Sequence, residues 1–381
     1  MFRHPLWLVG FRPFFLLAFV SGVLLPPIWA AVFAGAIALP PSGLPALTWH
    51  AHEMFYGFGW AVLGGFLLTA SKNWVHVRGM HGGPLALAAL LWCVERVMVF
   101  LPRSPLDLLL LNACTLYVGG YVIWTLLRFR RQDTFPDNWL FVVALPIFLV
   151  AKNLLLQPAT WTIGISMTLG LFRVAFAVMF ERTMTQFMRN AMQVHLPRRR
   201  WLDHGIKILL LVAVFESLLP APVAAAILGA AALLFLFRFA IWSPLAGMRR
   251  FEIAIMYLGY LGLGIHLVLA ALARVHAYAA VGTVATHAFT LLTMGVIIPG
   301  MLIRICQGHT GRKLLFTGSD RIALACMGAA AFLRLVAPQF WPGAYNTWIA
   351  LSATGWSLCF AIVGLRVGPF LLQPRVDGKE H

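Results

Sequence analysis

The chain is poor in charge, and poorest in acid. Of its 381 residues only 11% are charged, with 12 Asp and Glu against 29 Lys and Arg. A soluble protein of this length needs far more charge to cover its surface, so a soluble globular fold is excluded. Five cysteines (Cys93, Cys114, Cys306, Cys326 and Cys359) are scattered without a CxxC or CxxCH pair. That spacing argues against a disulfide framework, a thiolate zinc site and covalently attached haem. No segment is long and polar enough for a separate soluble domain, and no repeat relates the halves. The net charge of +17 would suggest nucleic acid in a soluble domain. Here the cations fall in the short loops between apolar runs, as they do on the cytoplasmic side of membrane proteins, and no nucleic-acid partner is expected.

What the chain has instead is hydrophobicity: 61% of its residues are apolar and its mean hydropathy is +0.85. Many runs are long enough to cross a hydrocarbon core ~30 Å thick. Cut by Pro, Gly and charge, they predict about twelve spans, at 13–38, 50–70, 84–101, 106–127, 139–156, 161–180, 206–219, 222–242, 252–273, 278–303, 321–337 and 346–366. The run from Phe11 to Leu39 exceeds the ~7–15 apolar residues of a cleaved leader and is expected to be the first span. The expected fold is therefore an all-α membrane protein, a polytopic bundle of about twelve transmembrane helices in one integral-membrane domain, 1–381.

The loops alternate in charge. Arg3 and Arg12, Lys72 and Arg78, Arg128, Arg130 and Arg131, Arg182 to Arg200, Arg249 and Arg250, Arg312 and Lys313, and Arg375 and Lys379 mark one side. The other side carries mainly Arg103 and Arg274. The positive-inside rule then places both termini in the cytoplasm, in agreement with an even span count. This topology puts His50, His52 and Glu53 at the outer end of the second span, and His266 in the outer half of the ninth. His287, nine residues into the tenth span, would lie roughly 14 Å deep, near the midplane. His309 falls just past the inner end, with His4, His76, His81, His195 and His204 on the same side.

Three segments offer chemistry. Trp49-His50-Ala51-His52-Glu53-Met54 places two imidazoles and a carboxylate, the side chains that bind transition metals, at the head of an apolar run. Residues two apart on a helix point about 200° apart, so His50 with Glu53 faces one way and His52 with Tyr56 another. Either the first turn is irregular or the imidazoles serve different sites, an arrangement that suits two metal centres. Interfacial solvation is the plainer account, although ionisable groups inside a membrane are generally paired and functional. The second segment runs from Thr286 to Arg304, with Thr286, Thr290 and Thr293 spaced on one face, His287 among them and Pro299 expected to kink the helix. A histidine at that depth needs a helix-to-helix hydrogen bond or a metal, and His is a common axial ligand of haem b. The third, Arg304-Ile305-Cys306-Gln307-Gly308-His309-Thr310-Gly311-Arg312, is a tight polar turn. It could hold an anion such as a haem propionate or a lipid phosphate, or simply carry loop charge.

Other buried charges say less: Glu95-Arg96, Arg173, and Glu181 with Arg182 read as internal pairs or snorkelling ends, and Lys152 and Glu216 fall near span ends. His266 lies on a mostly apolar helix and reads as structural. Fourteen Met residues form no MxxM cluster and read as packing, while many of the fourteen Trp flank the spans.

Taken together, several segments resemble the NnrS family of bacterial inner-membrane proteins. They are Gly10-Phe11-Arg12-Pro13-Phe14-Phe15, the Trp49 to Met54 stretch, Gly65-Phe66-Leu67-Leu68-Thr69-Ala70 with Asn73-Trp74, Thr286-His287-Ala288 with Thr293-Met294-Gly295, and Arg304 with Gly308-His309-Thr310-Gly311-Arg312. The resemblance implies a twelve-helix, multi-pass protein of the inner membrane that contains haem b and copper. It also implies a link to denitrification and to resistance against nitrosative stress, with nitric oxide as a small diatomic ligand. By motif, His50, His52, Glu53 and His287 are the metal candidates. His52, His287 and His309 are the cofactor candidates, with Arg12, Arg304 and Arg312 as structural or propionate partners. Three features depart from the pattern: His266, Tyr56 in place of an apolar residue, and Val75-His76-Val77-Arg78 without a Thr-Gly. No role is carried to His76, His81 or His266.

The leading expectation is a haem and copper protein that binds or converts nitric oxide or its metal adducts, an oxidoreductase if it turns over. His287 would be the haem ligand, His52 the second axial or distal residue, and His50 with Glu53 the copper pair. The competing classes are a transporter for copper or a small anion, and a chaperone or sensor that hands on haem or copper. Membrane lipid, an electron-donor protein or quinone, and a second copy of the chain are the partners to consider.

Overall fold

A computed structural model describes residues 4–41, 43–101 and 104–379. Arg3 and Arg103, which count in the loop-charge pattern, lie outside the described residues. Twelve principal helices follow one another: α1 Phe11–Phe33, α2 Ala46–Trp74, α3 Gly82–Met98, α4 Pro105–Arg128, α5 Trp139–Leu155, α6 Trp161–Met192, α7 Arg200–Val212, α8 Ala221–Ile241, α9 Phe251–Arg274, α10 Val284–Gly308, α11 Gly318–Leu335 and α12 Tyr345–Leu372. No strand occurs among the described residues. Ten of these helices, with the short turns that extend some of them, are long and apolar enough to cross a membrane. The two that fall short are α3, with 17 residues, and α7, with 13 residues before a 3-10 stretch at Ala213–Leu218. The chain is a multi-pass helical membrane protein.

Local chemistry sets the boundaries. Ser104 caps α4, accepting from the Asp107 amide at 3.2 Å while Asp107 reaches back to the Ser104 amide at 2.8 Å, a reciprocal pairing that satisfies two orphan donors. The start of α10 corrects the predicted depth of His287. Gly282 has φ of +77°, a conformation that a helix cannot continue through, and helix begins only at Val284. His287 is thus the fourth helical residue, in the first turn, and not nine residues into the span.

The distribution of side chains is the reverse of a soluble protein's. Leu90, Leu109, Leu233, Leu358 and Leu365 stand exposed while Arg12, Glu95, Lys152, Arg173, Arg238 and His266 are buried. Lipid solvates the former as well as a core would, whereas a charge facing hydrocarbon is costly and is turned inward to a partner.

The chain forms two compact units: residues 1–164, 302–323 and 357–381 in the first, and 165–301 and 324–356 in the second. In the first unit α1 packs against α2 through small residues. A side chain on Gly10 would meet Leu68 Cβ at 2.3 Å, and one on Gly65 would meet Phe14 Cβ at 2.7 Å. The Phe11 amide donates to Thr69 Oγ1 at 2.9 Å. Two of the segments that carry the family resemblance are therefore halves of one helix-to-helix contact, where small residues let backbones approach. In the second unit α9 packs along α8 and along the start of α10.

Candidate functional site

Both histidine segments sit where an α-helix widens. In α2 the α-helical turn ends at His52 and the next seven residues, Glu53–Gly59, are π-helical. In α10 it ends at His287 and the next eight, Ala288–Gly295, are π-helical. Such wide turns are rare and concentrate at functional positions. Downstream, Pro299 has no N–H for the Gly295 carbonyl four residues back, so the regular ladder is interrupted where the π stretch of α10 closes.

In α2 the wide turn frees backbone carbonyls, and α3 supplies their donors. Arg96 Nη1 donates to the Tyr56 carbonyl at 3.1 Å and Trp92 Nε1 to the Gly57 carbonyl at 3.0 Å. Gly57 leaves room for this, because a Cβ there would lie 2.6 Å from Arg96 Nη1. Around this frame five ionisable groups from α2, α3 and α5 converge. His52 Nδ1 pairs with Glu53 Oε1 at 2.9 Å, and His52 Nε2 lies 3.2 Å from Glu95 Oε1. Arg96 joins both carboxylates, with Nε 3.2 Å from Glu53 Oε2 and Nη2 3.0 Å from Glu95 Oε1. Lys152 Nζ donates to Glu95 Oε1 and to the Leu111 carbonyl, and lies 3.3 Å from Thr115 Oγ1. Two carboxylates and two permanent cations cancel, so the cluster closes on itself electrostatically.

His50 goes elsewhere: its ring stacks on Trp29, with centroids 4.1 Å apart and planes 11° from parallel. Of the expected copper pair, His50 thus stacks on Trp29, while Glu53 is taken by His52, its neighbour in sequence, and by Arg96 of α3.

In α10 the histidine is braced by its own turn. His287 Nδ1 is 3.0 Å from the Thr283 carbonyl and 2.8 Å from Thr283 Oγ1. A carbonyl can only accept, so the proton sits on Nδ1 and Nε2 keeps its lone pair. This is the tautomer a metal-ligating histidine uses, with the second nitrogen held by an oxygen acceptor. His287 accordingly fits an axial haem ligand. His52 shares half of that pattern, since Nδ1 can donate to Glu53, but its Nε2 faces a carboxylate already held by Lys152 and Arg96. Among the described residues no three His, Cys, Asp or Glu side chains are grouped to hold a metal ion.

The third segment belongs to the first unit. His309 rests against Phe11, with ring centroids 5.5 Å apart, and its carbonyl accepts from Arg375 Nη1 at 3.0 Å. Burial, together with the positive charges of Lys72 and Arg375, pushes the His309 imidazole down to about 4. Arg12 is spent on the Leu371 and Gln373 carbonyls, at 2.8 and 2.7 Å, and Arg312 on Gln373 Oε1 at 2.5 Å with its guanidinium over Phe370. Arg12 and Arg312 thus anchor the C-terminal stretch. Arg304 lies in the same unit, on the last turns of α10. His76 bonds Thr134 and His81 the Gly79 carbonyl, both at the ends of helices.

Glu95, Arg96 and Lys152 are the residues the sequence undervalued. The signal was present, as charges inside apolar runs, but their distances in sequence from His52 gave no reason to join them.

The fold is that of a multi-pass helical membrane protein with a histidine at each of two widened helix turns, and sequence comparison makes the class specific. The chain matches the NnrS protein family over residues 5–375. It belongs to the NnrS family. No curated protein matches the chain.

Proposed function

We propose that this protein is a haem b-binding protein of the bacterial inner membrane that acts in the response to nitric oxide, with His287 as an axial haem ligand. The observation that carries the reading is the His287 ring: Nδ1 is fixed on Thr283, Nε2 is left as a donor, and the π-helical turn begins at the next residue. Haem iron would supply the binding and redox chemistry for a diatomic ligand. The protein's part is to hold the imidazole in one tautomer and orientation, and to keep charge elsewhere. His52 serves, in this reading, as part of a buried charge network that stiffens the π-helical turn of α2. Copper enters the proposal through the family resemblance alone. Cytoplasmic termini complete the proposal and rest on loop charge.

An optical spectrum and metal analysis of one purified sample test this. Wild-type protein is expected to show a Soret band with stoichiometric haem b, and His287→Ala to lose it. A sample with no Soret band overturns the haem reading, and full haem occupancy in His287→Ala overturns the ligand assignment.

A second reading, transport of a small anion, gains from one observation. Interrupted helices in corresponding positions of two units mark the binding sites of secondary transporters, and each unit here contains one π-interrupted helix. Ion flux in proteoliposomes from haem-free protein would favour it.

A further inference from the structure

The second unit buries a set of charges that neither reading uses. Arg173 of α6, Glu216 beyond the end of α7 and His266 of α9 are 1%, 4% and 1% exposed. Glu216 Oε1 gathers three donors: Arg173 Nη2 at 2.8 Å, Ser166 Oγ at 3.1 Å and Arg274 Nη2 at 3.5 Å. Two cations thus share one carboxylate, an excess of one positive charge. Arg173 is left with Nε and Nη1 lacking an acceptor, Glu216 Oε2 lacks a donor, and His266 Nε2 lacks any partner. Buried guanidinium N–H groups are seldom left unmade, because desolvating them without a partner is costly.

The protonation of His266 follows from its other nitrogen. Nδ1 is 2.7 Å from the Ala285 carbonyl, which can only accept, so Nδ1 carries a proton and Nε2 of the neutral ring is a bare lone pair. The His266 ring packs against Phe289 with centroids 5.1 Å apart, and Phe289 packs 5.9 Å from Phe176, one turn along α6 from Arg173. Arg173 and Glu216 are the charged groups on that side of the ring, with Arg274 joined to Glu216 behind them.

We propose that Arg173 and His266 bind a small monovalent oxyanion within the second unit, and that His266 Nε2 takes up a proton as the anion enters. Arg173 offers Nε–H and Nη1–H to the anion's oxygens. A neutral His266 would present a lone pair to it, which repels. Once protonated, the same nitrogen donates, and Nδ1–H keeps its bond to Ala285. The anion brings one negative charge and the proton one positive charge, so the buried charge of the site is unchanged. A site inside hydrocarbon favours that balance, since moving net charge out of water is expensive. Glu216 is a positioning residue that holds Arg173 and Arg274. The site is independent of haem ligation by His287.

Calorimetric titration of the full-length protein in lipid nanodiscs with sodium nitrate tests this, at several pH values and in buffers of different ionisation enthalpy. Nitrate stays an anion throughout, so any proton taken up is the protein's. The expected result is one saturable nitrate per chain with one proton absorbed, the affinity tightening about tenfold for each unit that pH falls. His266→Gln is expected to bind nitrate more weakly, without proton uptake and without pH dependence. Arg173→Gln leaves Glu216 stranded, so Arg173→Gln/Glu216→Gln serves as the folded variant, expected to lose at least tenfold in affinity. Absence of saturable nitrate binding in wild type, or undiminished proton uptake in His266→Gln, overturns the proposal.

Discussion

His52 and His287 end α-helical turns that open into π-helical ones over the following residues, yet the two turns are filled differently. Around His52 every charge finds an opposite one: Glu53, Glu95, Arg96 and Lys152 lock together, and α3 donates to the carbonyls that the wide turn releases. Around His287 a threonine braces the ring through Nδ1. A backbone widening thus creates the opportunity for a site, and its neighbours decide the use. A self-neutralised cluster resists a metal cation, because Lys152 and Arg96 already neutralise the two carboxylates it would need. A singly braced imidazole accepts one.

The sharpest break of that contrast is in cofactor content. His287→Ala is expected to abolish haem binding, whereas His52→Ala keeps at least half of it; equal loss of the Soret band in both would erase the distinction. The next effect is on stability. Removing one partner of a buried pair strands the other, at about 3–5 kcal/mol, so Glu95→Gln or Lys152→Met should markedly lower the thermal midpoint. The double variant Glu95→Gln/Lys152→Met is expected to recover most of the loss, and a double variant as unstable as the sum of the singles would mean the pair is not the unit of stability. Gly57→Ala places a methyl against Arg96 and should cost about 1–3 kcal/mol as overpacking does, read from the same thermal curves; an unchanged midpoint would show that Arg96 can move away.

The smallest effect concerns pH. His309 is held neutral in the folded chain, its imidazole pushed down to about 4 from an ordinary 6.5 by burial and neighbouring cations. The unfolded chain therefore binds the extra proton first, and stability should fall as pH drops from about 6.5 towards 4. His309→Gln is expected to flatten that part of the stability profile. An unchanged profile in His309→Gln would remove the assignment to His309.

Much of the architecture was legible from composition and spacing. Apolar run length announced helices across a membrane, and Pro, Gly and charge marked most boundaries within a few residues. The depth of His287 was misread because Tyr278 to Thr283 are apolar enough to extend the span, while Gly282 turns the chain at positive φ. Short α3 and α7 show the opposite limit, since an apolar run longer than the helix it forms overstates the length available to cross.

The sequence by itself determined that this is a polytopic helical membrane protein and which histidines deserved attention, because hydropathy and motif are local properties of the chain. Only the tertiary structure decided which groups meet. That Arg96 and Trp92 donate to carbonyls freed in α2 depends on a π-helical register, which no fixed helical period predicts. That Glu95, Arg96 and Lys152 close around His52, and that Arg173 and Arg274 meet at Glu216, depends on helix packing, which brings residues far apart in sequence within a few ångströms because buried charge must find its partner.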